Sequence, residues 1–326
     1  MARMKRYAVL VVAAVSVTAC AGPQSAAPAV PQPALRPSSV ADRQPVRSWI
    51  DPAAQSGDLL YVTNSNGTVT VYSYPQGKLV GTLSGFVQPY GACSDKSGNV
   101  YITDYSSTKI TEFAHGATKP KRTIKDPSYS PQGCAVSPLS GALAVANYCQ
   151  PDTRYPGNLS VYPKAKGYPH AYTVQDFYYY YFTAYDSSGN AYVNGQFSVY
   201  GQNYEFAVLP KKGQLRQIIL PVTLGFPGGI AWDGQYVVLG DQSSDKIYQF
   251  TIANQQATLA NTITLDGVAY NGQFAIDGST LVMPNQTNST SNVLFYNYPA
   301  GGSPTLTITD GVFYPHAVAI SHVGSR

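Results

Sequence analysis

Few residues in this chain are suited to chemistry, and their spacing limits what that chemistry can be. Charged residues make up 12% of the 326 positions, and the only glutamates are Glu112 and Glu205, so groups for acid–base work are scarce. His316 stands just ahead of the apolar run Ala317-Val-Ala-Ile320. An imidazole titrates near neutral pH and can serve as a general base, but no carboxylate is placed to orient it, and it reads as a polar contact. Five oxygen-bearing side chains, Asn64, Asp104, Asn147, Asp241 and Asn285, each close a short apolar run. Converging oxygens can hold Ca²⁺, whereas Asn and Asp ending a strand serve the backbone of the following turn. The second reading is adopted, so no metal and no cofactor is assigned, with calcium as the alternative. There is no His/Cys spacing for zinc, no nucleophile elbow and no phosphate-cradling glycine loop. What the chain has in excess is tyrosine, 27 in all, concentrated in the run Phe177-Tyr-Tyr-Tyr-Tyr-Phe182. Tyrosine joins a large contact area to a polar tip at small ordering cost, which suits recognition of a protein, peptide or glycan.

The N-terminal residues read as targeting rather than fold. Arg3, Lys5 and Arg6 precede an apolar run from Tyr7 to Val17, the layout of a secretory signal. Val17-Thr-Ala-Cys20 is similar to a bacterial lipobox, which makes Cys20 the expected lipidation site and residues 1–19 the signal. Losing those residues lowers the net charge from +4 to +1. No basic stripe remains, which argues against a nucleic-acid partner. Residues 20–57 are Ala/Pro-rich and lack an apolar period, as expected of an extended tether. The expected location is the cell envelope, with a lipid anchor, in the outer membrane and facing the periplasm or the exterior.

Residues 58–326 carry an internal repeat that must position everything else. Taking Gly91, Gly133, Phe182, Gly229, Gln273 and Ala317 as equivalent anchors, the steps are 42, 49, 47, 44 and 44 residues. Each step holds four short strands, the size of a propeller blade. Two residues past each anchor stand Cys93, Ala135, Ala184, Ala231, Ala275 and Ala319, small side chains that fit a tapering interior. Two further on stand Asp95, Ser137, Asp186, Asp233, Asp277 and Ser321, residues favoured at the start of tight turns. The N-terminal unit lacks a first strand and the C-terminal unit consists of little else. Joined, they close a ring of six blades and leave no open edge at the seam. The fold class is therefore all-β, a six-bladed propeller of four-stranded blades, expected to be monomeric.

Strand direction places the segments leading into each first strand and the ends of each second strand on one rim. The lead-ins supply Tyr90, Tyr129, Gln132, Tyr178, Tyr179, Tyr180, Tyr181, Phe226, Tyr270, Tyr314 and His316. The second-strand ends supply the Asn/Asp set above. Cys134 opens one first strand and Cys149 follows that blade's second strand, so a Cys134–Cys149 disulfide is expected, with Cys93 a buried thiol.

Tyr61-Val-Thr-Asn64 and the Asp-x-x-Gly-Asn-x-Tyr pattern at Asp95 and Asp186 resemble YVTN- and NHL-type repeats, in the wider group of six-bladed lactonase-like propellers. The resemblance implies a six-bladed fold over residues 59–321. It also implies an alternative activity, a lactonase- or lyase-like enzyme using a metal or His316 at the channel mouth. The resemblance implies a metal held by a glutamate from the first blade together with Asn and Asp residues, and this chain has no glutamate in any lead-in. The leading expectation is a membrane-anchored binder of a protein, peptide or glycan. A scaffold in an envelope assembly is the third possibility.

Overall fold

A computed structural model of the chain describes residues 47–149, 156–175, 177–197, 204–287 and 289–324. Cys20, the signal segment and most of the tether lie outside the described residues. Six antiparallel sheets follow one another along the chain, each starting from an inner strand near a common axis. The inner strands are Pro315–Ser321, Pro89–Ser94, Pro131–Val136, Tyr179–Tyr185, Pro227–Trp232 and Ala275–Asp277, in blades one to six. The second strands are Leu59–Asn64, Val100–Asp104, Leu143–Cys149, Ala191–Gln196, Val237–Asp241 and Thr280–Gln286. Blade one closes the ring as expected, since Leu59–Asn64 pairs with the C-terminal Pro315–Ser321 from Leu59↔Ser321 to Asn64↔Pro315. It also gains a fifth strand, Trp49–Ile50, on its outer edge, so the folded chain begins ahead of residue 58.

The Thr of the YVTN-like pattern acts as a clasp between blades. The Thr103 hydroxyl accepts the backbone N–H of Gly91 in its own blade (2.7 Å) and donates to the Gln132 carbonyl of the next (2.6 Å). Thr63 does the same with the Ala317 N–H and the Tyr90 carbonyl, and Asn194 with the Phe182 N–H and the Gly228 carbonyl. A buried backbone group left unpaired is costly, so one side chain of the right length satisfies two strands at once. Adjacent inner strands run so close that a Cβ on Gly91 would sit 2.1 Å from the Gln132 carbonyl oxygen. That approach, not a turn, requires glycine at this anchor.

The axis is plugged. Gln273, from blade six, crosses to donate from Nε2 to the Ala92 and Cys134 carbonyls of blades two and three (2.7 and 2.8 Å). Beside this crossing lies a disulfide, and it is not the expected one. Cys134 bonds to Cys93, with Cα atoms 5.7 Å apart and a sequence separation of 41. The reason lies in register. Cys134 pairs directly opposite Val145, and Cys149 is four residues further along that strand, about 13 Å away at ~3.3 Å per residue. That exceeds the reach of a disulfide. The inner strand of blade two brings Cys93 within it, so the small-residue column supplies half of a bond and not a free thiol.

Candidate binding face

The upper face, where inner strands begin and second strands end, is built by the Asn/Asp set. The Asp104 carboxylate accepts the backbone N–H groups of Val87 and Gln88 (2.9 and 2.8 Å). Asp241 accepts those of Gly225 and Phe226 (3.1 and 3.0 Å). Asn285 accepts those of Ala269 and Tyr270, and Asn64 that of Phe313. Each side chain thus pins a lead-in at the positions three and four residues ahead of the anchor. Asn147 turns to Asn158 and Ser160 instead. The oxygens of Asn64, Asp104, Asp241 and Asn285 are engaged by backbone donors. Among the described residues the buried Asn147 Oδ1 has no hydrogen-bond partner, and no group of three His, Cys, Asp or Glu is arranged to hold a metal ion.

The pinned lead-ins fill the channel mouth with aromatic rings. His316 stacks flat on Tyr90, with centroids 4.2 Å apart and planes at 9°, and the Tyr90 hydroxyl meets that of Tyr270 at 3.4 Å. Tyr90 packs on Tyr105, Tyr105 on Tyr148, and Tyr148 stacks on Tyr179 at 4.3 Å. Tyr181 packs against Tyr148 and, edge-on, against Phe226. Rings from all six blades therefore form one continuous floor, in the offset and edge-on geometries their quadrupoles favour. Burial holds the Tyr90 and Tyr181 phenols well above the usual range and pushes Tyr179 and Tyr270 to about 12.

His316 belongs to this floor. Burial lowers it to about 4, so the ring is neutral at pH 7. The Ser65 hydroxyl donates to the Tyr314 carbonyl at 2.9 Å and lies 2.8 Å from Nε2. In that arrangement Nε2–H donates to Ser65, and the buried Nδ1 has no partner. A Ser–His contact alone lacks the third group that orients a general base, and the low basicity weakens it further.

Not every residue expected on the rim faces it. Tyr180 turns the opposite way from Tyr179 and Tyr181, as strand alternation requires. It is buried beside Phe177, and its hydroxyl accepts the Val174 N–H. Gln132 is buried as well. Tyr129 stays exposed, on a left-handed backbone (φ 62°). Tyr314 shares that conformation (φ 45°) and packs edge-on to Phe313.

No family model matches the chain, and no curated protein matches it. Solved structures do. A chain from a crystal structure of a nidogen/laminin complex aligns at a TM-score of 0.66 and 16% identity, covering 82% of this chain and all of its own. A protein of unknown function from Bacteroides caccae aligns at 0.59 and 13%, covering 82% of this chain and 99% of its own. A functionally unknown protein from Desulfotomaculum acetoxidans aligns at 0.55 and 11%, with the same coverages. At such identities the likeness establishes the propeller fold and nothing about activity.

Sequence reasoning missed the column one residue past the Asn/Asp set. Ser65, Tyr105 and Tyr148 stand there, and Gln196 takes the matching place in blade four, after Gly195; all four touch the floor, Gln196 by accepting the Tyr181 hydroxyl at 2.8 Å. The repeat supplied the signal, since a residue next to the pinning oxygen must point the other way, toward the mouth. Two grooves of about 370 and 280 Å³ open on the seam between blades four and five rather than at the mouth.

Proposed function

We propose that this protein binds a protein, peptide or glycan partner on its upper face, over the aromatic floor. The observation that carries the reading is the composition of that face. Its described lead-ins and second-strand loops contain no Lys, Arg or Glu and are rich in Tyr, Phe, Ser, Asn and Gly, the residues that supply rigid contact area and adaptable hydrogen bonds at low entropy cost. Phe313, Val87 and Tyr129 stand 46%, 58% and 45% exposed on three consecutive lead-ins, and apolar residues so presented mark interaction surfaces. The fold neighbour from the nidogen/laminin complex is itself part of a protein assembly, which is consistent with protein partnering. The Cys93–Cys134 disulfide suits an exported chain, and Cys20 is proposed as its lipid anchor in the cell envelope.

Peptide and glycan arrays probed with the protein test this reading. Replacing both Phe313 and Tyr129 by Ser is expected to weaken array binding at least tenfold. Tyr168→Ser, at a side chain 80% exposed in an outer turn of blade three, is expected to leave it unchanged. Equal binding by all three proteins, each folded by thermal unfolding, contradicts the assignment to this face.

A further inference from the structure

The six positions four residues ahead of the anchors differ in one respect that decides what the face can hold. Blades one to four place Phe313, Val87, Tyr129 and Tyr178 there, and blades five and six place Gly225 and Ala269. The apolar surface is thus an arc over one side of the ring, with small residues on the other. The described chain enters next to that arc. Trp49 pairs with Thr82 at the upper end of the outermost strand of blade one. The Ser84 N–H, at the start of the blade-two lead-in that carries Val87, donates to the Ser48 hydroxyl at 3.0 Å.

The sequence upstream of that entry point is Pro28-Ala-Val-Pro-Gln-Pro-Ala-Leu-Arg-Pro37. Proline-rich segments dock in grooves lined by aromatic rings because their extended left-handed helix is already ordered and little entropy is lost on binding. Nine residues lie between Pro37 and Arg47. At ~3.1 Å per residue they span about 30 Å, more than the radius of gyration of roughly 19 Å for a domain of this size. Residues 28–35 carry no charge and Arg36 adds one cation, against a face whose described loops have no Lys, Arg or Glu and expose the carboxylates of Asp245 and Asp310.

We propose that residues 28–37 of this chain dock in cis on the arc formed by Phe313, Val87 and Tyr129. The proposal rests on the reading of the upper face as a binding surface and names the chemistry it accepts, an extended proline-rich peptide. A tethered segment acts at an effective concentration in the millimolar range, so an outside ligand binds only by displacing it.

The test uses a fluorescent peptide of residues 27–38 and two full chains, wild type and one with Pro28, Pro31, Pro33 and Pro37 all changed to Ser. The Pro→Ser chain is expected to bind the peptide, and the wild type at least tenfold more weakly because its own segment fills the site. Adding Phe313→Ser and Tyr129→Ser to the Pro→Ser chain is expected to cost at least tenfold in affinity, with thermal unfolding confirming the fold. Equal binding by the wild-type and Pro→Ser chains overturns the cis contact while leaving the face a peptide site. No binding by the Pro→Ser chain, or binding indifferent to Phe313 and Tyr129, overturns the proposal outright. The array experiment above then decides separately whether the face binds anything else.

Discussion

At the scale of single residues, the YVTN-like threonines have a physical explanation. Thr103 holds two backbone groups from different blades, and Thr103→Val keeps the shape while leaving both unpaired. Leaving buried partners unsatisfied costs about 1–3 kcal/mol, so urea unfolding of the variant is expected to show a loss of about 2 kcal/mol. A loss under about 0.5 kcal/mol is the outcome this account does not allow. The tyrosines make a second prediction. Burial raises Tyr61, Tyr72, Tyr179, Tyr180 and Tyr270 to about 12, against about 10 when unfolded. Their neutral forms contribute stability that is whole below pH 10 and is lost as pH rises toward 12, because the unfolded chain releases the protons first. Tyrosinate absorbance at 295 nm is therefore expected to lag the ordinary curve near pH 11 and then to rise cooperatively with unfolding. What sequence could not show was which face each tyrosine takes. Four consecutive copies in Phe177–Phe182 read alike, and only the register of the strand separates Tyr180 from its neighbours.

At the scale of elements, the second-strand ends build the lead-ins. Asp104→Ala removes the acceptor for Val87 and Gln88 and is expected to cost about 1–3 kcal/mol, with faster amide exchange in residues 84–90. Because these oxygens serve backbone donors, millimolar Ca²⁺ is expected to leave the unfolding temperature of the wild type unchanged, and a rise of several degrees contradicts that role. The repeat made the strands, their order and the pinning column legible, since every blade needs them and they recur at fixed offsets. Disulfide pairing was not legible. Two cysteines on one blade looked closer than Cys93 and Cys134, which meet only because inner strands of neighbouring blades converge at the axis.

At the scale of the whole molecule, the ring is held shut by the C-terminal strand, by Gln273 across the axis and by the Cys93–Cys134 bond. Closing a loop of 41 residues corresponds to about 3–4 kcal/mol on the chain-entropy view, so reduction or Cys93→Ala is expected to lower the unfolding temperature by several degrees. With the axis plugged and the mouth floored by rings, function is assigned to the surface above the floor, where the blades differ. The most direct measurement is photo-crosslinking in the native cell, with benzoylphenylalanine placed at Val87 on the upper face or at Tyr168 in an outer turn of blade three. The account predicts a discrete adduct from Val87, to an outside partner or to residues 28–37 of the same chain, and none from Tyr168. Silence at Val87, or the same adduct from both positions, contradicts it.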